Sequence, residues 1–188
     1  MEDIVLLERP YKPSNYSEDK EVIRYKKIEM VISDGKVIAQ FEVTQLKANP
    51  NLADELYNDL YAIFQGMQLL THKKFDLSKS PAKTVIHSDG KKHHCLSINI
   101  MESGQIIENV DSEVMDKNGN IISDSRKERI EKQREFGSLV RKYRPINQNV
   151  AKMLDSYEGA VRHPDDELVY LYEIREALQK EFKGKKGS

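Results

Sequence analysis

The chain has a single cysteine, Cys95, so no disulfide can close within it, and a cysteine-rich zinc site is excluded for the same reason. Long apolar runs are lacking too. The longest stretches, Ile4-Val5-Leu6-Leu7 and Met67-Gln68-Leu69-Leu70, fall far short of the roughly 18 apolar residues of a membrane span. The opening Met1-Glu2-Asp3 is acidic rather than basic, unlike a secretory or transit leader. With the free thiol, this predicts a cytoplasmic protein that does not engage membranes. Net charge is close to absent at −1, although 32% of the residues are charged and only 38% are hydrophobic. High charge without net charge is not the signature of disorder. A chain of 188 residues can bury a core of its own, as one compact domain or a small one with a satellite.

Catalytic signatures are missing as well. The sequence has no Gly-x-Ser-x-Gly, no phosphate-cradling glycine loop and no His-Glu-x-x-His. That lowers an enzymatic reading. A hydrolase whose site is assembled from distant residues stays as a third reading.

Local structure is clearer. Residues 9–20, with Pro10, Pro13, Ser14, Asn15 and Ser17, read as an extended arm or loop. From Tyr25 to Thr44, Ser33-Asp34-Gly35-Lys36 sits at the middle, and Asp-Gly suits a two-residue type I′ turn. With that turn at the tip, Ile32 faces Val37, Met30 faces Ala39 and Ile28 faces Phe41, and Val43 extends the same apolar face. Asn49-Pro50 is a helix start, with Asn as cap and Pro at the first position. The helix it opens carries the stripe Leu52, Leu56, Leu60, Ile63, Met67 and Leu70, widened by Ala53, Tyr57 and Phe64, and should lie centrally against the sheet.

A second Ser-Asp-Gly-Lys, at 88–91, centres a hairpin from Thr84 to Ile100, in which Leu96, Ile98 and Ile100 alternate. Ser103-Gly104 and Asn118-Gly119 are further turns around Gln105 to Met115 and before Ile121-Ile122, which completes an antiparallel meander. From Asp124 the pattern is helical only. Ser125-x-x-Glu128 resembles a capping box, and the helix runs to about Tyr143, because Pro145 pushes Arg144 out of the α region. A second helix carries Val150, Leu154, Tyr157 and Val161. A third opens at His163-Pro164-Asp165-Asp166-Glu167, with Leu168, Leu171, Tyr172, Ile174, Leu178 and Phe182 as its apolar side. The fold class expected is α+β: an antiparallel sheet of hairpins and meander packed on one long helix, then a three-helix C-terminal region. The division expected is 1–123 and 124–188.

His87, His93, His94 and Cys95 could be considered as metal ligands. A two-residue turn at Asp89-Gly90 places His87 and His94 on one face, and His93 and Cys95 on the other. Two imidazoles without an acidic companion fall short of the three or four ligands of zinc or iron, so no metal or other cofactor is expected. Asp116-Lys117-Asn118-Gly119-Asn120 has its glycine too early for a calcium loop and reads as a turn.

The helix at 126–144 holds eight basic and three acidic residues, a local net of +5. At the helical period, Arg126, Lys127, Arg134, Arg141 and Arg144 share one sector, and Phe136, Leu139, Val140 and Tyr143 fall opposite. Such a stripe can track phosphates of RNA or DNA. It can equally be a solvated face, or pair with the last helix, whose residues 165–182 carry six carboxylates against Arg175 and Lys180. Arg175 itself lies near the centre of that helix's apolar arc, where an ion pair or snorkelling is required.

The stretch Val150 to Phe182, under a fifth of the chain, resembles the helical core of HEPN-type proteins of prokaryotic defence and toxin systems. Leu154, Tyr157 and Glu167-Leu168-Val169-Tyr170-Leu171-Tyr172-Glu173-Ile174-Arg175-Glu176-Ala177-Leu178 carry the likeness. The ribonuclease motif of that family is an Arg followed four to six residues later by a His. Here His163 directly follows Arg162, and no earlier Arg has the spacing. The resemblance therefore implies a non-catalytic relative, part of a defence assembly. Together these readings predict a non-enzymatic interaction or adaptor protein whose partner is another protein or a second copy. A nucleic-acid module using the basic stripe is the alternative.

Overall fold

The computed structural model describes residues 2–95, 113–115 and 121–183, and the class is α+β. By their contacts the residues group into two compact units. Met1–Tyr61 with Phe75–Val110 form the first; Ala62–Lys74 with Asp111–Ser188 form the second. The expected boundary at 123/124 lies inside the second.

The first unit is built on an antiparallel sheet. Its strands are β1 (Ile4–Lys12), β2 (Glu21–Tyr25), β3 (Ile28–Ser33), β4 (Lys36–Glu42), β5 (Asp76–Leu77), β6 (Ala82–Ile86) and β7 (Lys92–Cys95). The order across the sheet is β2-β3-β4-β1-β6-β7, with β5 paired to β1. The β3–β4 hairpin has the expected register, Met30 on Ala39 and Ile32 on Val37. Its turn residues Asp34 and Gly35 have φ of 50° and 76°, as a type I′ turn demands. Ile28, Met30, Ile32, Val37, Ala39 and Phe41 are all buried. Val43 does not extend that face. It starts a short helix, α1 (Val43–Ala48), where Glu42 caps the first turn and the Gln45 side chain accepts the Glu42 N–H at 3.1 Å.

The central strand, β1, takes in residues 9–12, the first part of the stretch 9–20 read as an arm. β1 buries Val5, Leu7, Arg9 and Tyr11 on one side. An arginine in the inward series and Leu6 in the outward one hide the period of two. Arg9 is 2% exposed, and its guanidinium donates to the carbonyls of Ser78 (3.1 Å), Ala53 (2.6 Å) and Lys79 and lies over the Tyr57 ring. Desolvation lowers its pKa to about 10, so it stays charged at neutral pH. Backbone dipoles thus stand in for a carboxylate, and the cation ties β1 to the segment after β5 and to the first turn of α2 (Leu52–Thr71).

Helix α2 starts at Leu52; Asn49 still accepts the Asn51 N–H through its side chain, at 3.1 Å. In its first half only Leu52, Leu56 and Leu60 are fully buried, and Leu56 and Leu60 meet Leu7, Met30, Val37 and Ala39. Phe75 packs against Tyr16 and Tyr61, each at 5.4 Å between ring centroids.

The second hairpin shows a one-residue correction. β6 and β7 pair Thr84 with His94 and Val85 with His93, and His87 N–H bonds to the Lys91 carbonyl at 2.8 Å. The loop is therefore Ser88-Asp89-Gly90, three residues, with only Gly90 at positive φ (84°). A one-residue shift exchanges the faces of every side chain in the strand. Leu96, Ile98 and Ile100 and the turns at 103–104 and 118–119 lie outside the described residues. Among the described residues the later strands β8 (Glu113–Met115) and β9 (Ile121–Asp124) pair with each other in a two-stranded sheet of the second unit.

Three helices follow in the second unit: α3 (Ser125–Tyr143), α4 (Gln148–Arg162) and, after a 3-10 turn at Pro164–Asp166, α5 (Glu167–Lys183). Asp124, not Ser125, caps α3, accepting the Lys127 N–H at 3.0 Å. Arg144 keeps α-region angles (φ −56°, ψ −45°), so Pro145 ends the helix by withholding an N–H, not by displacing Arg144. Residues 62–68 of α2 are all buried. Gly66 and Gly137 meet where α2 crosses α3: a Cβ on Gly66 would stand 2.6 Å from the Gly137 Cα and from the Phe136 carbonyl oxygen.

Two substitutions test these cores separately. Leu60→Ala should cost about 2–5 kcal/mol, as a buried large-to-small change. Gly66→Ala should cost about 1–3 kcal/mol or more, because the added methyl meets backbone that cannot rotate away. Denaturant melts measure both. A loss under about 1 kcal/mol for Gly66→Ala would mean that the helices do not cross there.

Candidate functional site

The interior of the second unit is polar as well as apolar. Ala62, Val140 and Leu154 form a buried cluster bordered by Leu69 and Val150. Beside it, Gln65 (1% exposed) donates to Asp155 at 3.1 Å and to Glu158 at 3.0 Å. Arg144 meets Asp155 at 2.9 Å, and Arg162 meets the buried Glu158 at 2.7 Å. Each carboxylate therefore has a guanidinium and an amide. Asn147 caps α4, accepting from Asn149 and Val150.

Helix α5 packs on α4 through a face that is largely polar. Ser156 donates to Glu173 at 2.7 Å and Asn149 donates to Glu181 at 2.8 Å, with Ala177 buried between them. Gly159 leaves the space that the Tyr170 ring fills; a Cβ there would lie 2.4 Å from the ring. The consequence is on the opposite side. Leu168 is 82% exposed, Leu171 46%, Tyr172 58%, Leu178 39% and Phe182 65%. The apolar arc read from the sequence is real, but it points to solvent. Arg175, at the middle of that arc, is exposed, and the expected structural ion pair is not formed among the described residues.

The basic stripe of α3 is distributed differently from its helical-wheel projection. Arg126, Lys127 and Arg134 are exposed, Arg141 is half-buried, and the half-buried Arg144 is held by Asp155. The buried stripe is Ile130, Gln133, Gly137 and Val140. At the helical period it lies on the side of Arg126 and Arg144, not opposite them. Of the four proposed anchors only Val140 is buried; Leu139 and Tyr143 are 44% and 43% exposed. Close approach through Gly137, invisible to a hydrophobicity pattern, decides which way the helix faces.

The register of the second hairpin creates a constellation that the sequence reading did not contain. His87 and His93, not His94, share a face: His87 Nε2 and His93 Nδ1 lie 3.2 Å apart. Asp3 accepts from His87 Nδ1 at 2.8 Å and from the Ser88 N–H at 2.9 Å. His94 lies on the other face with Thr84, at 2.9 Å. A carboxylate orienting one imidazole, with a second imidazole beyond it, is a short proton relay. Reading β1 as a strand paired to β6 would have brought Asp3 beside His87. No group of three or more metal-ligating side chains converges among the described residues. None of the described helices is long and apolar enough to cross a membrane. Compared with known proteins, the chain matches no family model, no curated protein and no solved structure.

Two measurements follow from this geometry. Arg144→Ala strips Asp155 of its cation and should cost about 1 kcal/mol or more, whereas Arg134→Ala, on an exposed site, should stay within about 0.5 kcal/mol. Equal losses in thermal melts would contradict the placement. The Ser88 N–H and then His87 hold the Asp3 carboxyl below its ordinary 3.8. Its stabilisation is thus present above about pH 4 and is lost as the pH falls through the depressed value. The melting-temperature gap between wild type and Asp3→Asn should close as the pH falls below about 4, where the Asp3 carboxyl gains its proton. A gap that persists undiminished in strong acid would show that the contact contributes nothing.

Proposed function

We propose that this chain is an interaction protein that docks a helical partner on the outward face of α5. One observation carries the reading: Leu168, Leu171, Arg175, Leu178 and Phe182 recur at the three- and four-residue spacing of a helix seam, and all are exposed. The other side of the same helix is already occupied by α4, through Ser156–Glu173 and Asn149–Glu181. Scattered exposed leucines mean little, but a continuous apolar stripe on an otherwise packed helix marks a surface for a partner. The partner's chemistry follows from Arg175. Covering an unpaired guanidinium with apolar surface is costly unless a carboxylate meets it. The complementary element is a helix with its own apolar stripe and an acidic residue within reach of Arg175.

A photo-crosslinking residue in place of Tyr172, expressed in the protein's native cells, tests the reading. One discrete adduct is expected, and it should vanish when Leu171 is also changed to Glu. The same probe at Glu131, on the exposed side of α3, should give none. No adduct from position 172, or one indifferent to Leu171→Glu, would overturn the docking role of α5.

A further inference from the structure

We infer that the occupant of the α5 face is a second copy of this chain, its α5 lying antiparallel to the first; the inference rests on the docking role proposed above. The argument is charge complementarity within one helix. Its start is acidic, with Asp165, Asp166 and Glu167 all exposed, and its single central cation is Arg175. None of these four makes an ion pair among the described residues. A parallel, in-register pair would set Arg175 against Arg175 and acid against acid. An antiparallel pair about a two-fold axis is self-complementary, since each contact occurs twice.

The spacing selects a register. Setting Leu168 against the second copy's Leu178 brings Leu171 against the second copy's Arg175 and Phe182 over its Pro164. The whole length from Pro164 to Phe182 then overlaps. Arg175 lies opposite Leu171 of the other helix, and Glu167 is one turn, ~6 Å, further along that helix. An arginine side chain spans that distance, so two Arg175–Glu167 pairs flank a seam of leucines. The two guanidiniums stand a turn apart instead of face to face. Tyr172 and Ile174 close the edge of the seam. No other carboxylate on α5 is so placed. Glu173 and Glu181 are engaged by α4, and Glu176 projects to the rim of the groove between α4 and α5.

Sedimentation velocity of the full chain between roughly 1 and 100 μM tests this, because one helix face is at the small end of interfaces and should give micromolar association. The expected result is a concentration-dependent dimer that Leu171→Glu abolishes. Arg175→Glu and Glu167→Arg should each weaken it by roughly tenfold, and the double variant, with both pairs restored in reverse, should recover most of the loss. Circular dichroism melts check that each variant folds; these exposed sites should leave the melt unchanged. A wild type that stays monomeric at the upper concentration overturns the inference, as does a dimer insensitive to Leu171→Glu. A double variant no better than the singles overturns the antiparallel register. The Tyr172 crosslink separates the two levels of argument. An adduct of twice the chain mass supports a second copy, an adduct of another mass removes the second copy and leaves the docking role, and no adduct removes both.

Discussion

Residues 62–68 of α2 are buried without a break, and the second unit is organised by what that burial requires. A helix has no spare face there, so each position must be matched by its own neighbour. Gly66 is met by Gly137, backbone against backbone, because no side chain fits between them. Gln65 cannot reach water, and Asp155 and Glu158 of α4 accept its amide protons. Gln68 turns back to the Lys73 carbonyl at 3.1 Å. The buried Glu158 must itself be neutralised, and Arg162 does so, while Arg144 pairs with the exposed Asp155. One amide in a buried helix thereby fixes the side chains of two other elements.

That use of α4 settles how α5 can bind to it. Glu158 of α4 is turned inward, and what engages α5 is Asn149, Ser156 and the gap at Gly159. Hydroxyl, amide and empty space select Glu173, Glu181 and the Tyr170 ring from α5, not its leucines. A helix with one polar and one apolar side has then spent its polar side on the chain itself. The exposed apolar arc is the residue of a solved packing problem elsewhere, and this is why a chain of only 38% hydrophobic residues leaves so many of them in water.

The same reasoning shows which parts of the structure were legible in the sequence. The β3–β4 hairpin was, because two independent signals agreed: the alternation of Ile28, Met30 and Ile32, and a tip in which both Asp34 and Gly35 take positive φ. The second Ser-Asp-Gly-Lys gave the hairpin but not its register. Four identical residues admit a two-residue or a three-residue turn, and only Gly90 turned out left-handed. That single residue decided which histidine joins His87, so the Asp3–His87–His93 chain could not be found without it. β1 was hidden because Arg9 occupies an inward position, satisfied by carbonyls that lie far away in sequence. On α5 the periodicity named the right residues. Periodicity reports that one face is apolar; whether the chain itself covers that face depends on what the neighbouring helix presents.

In the proposed docking role of α5, Arg175 would give the exposed arc its selectivity. A face of leucine and phenylalanine alone would accept any apolar surface, including those of partly folded chains. A guanidinium at its centre changes the balance of energies. A partner without a carboxylate at that position must leave a cation buried and unpaired, which is far more unfavourable than the loss of one apolar contact. A partner with one gains a charge-assisted bond in a site from which water is excluded. Discrimination therefore comes from the penalty imposed on wrong partners more than from the attraction of the right one. On that proposal, the position that looks least suited to an apolar seam is the one that would make the seam specific.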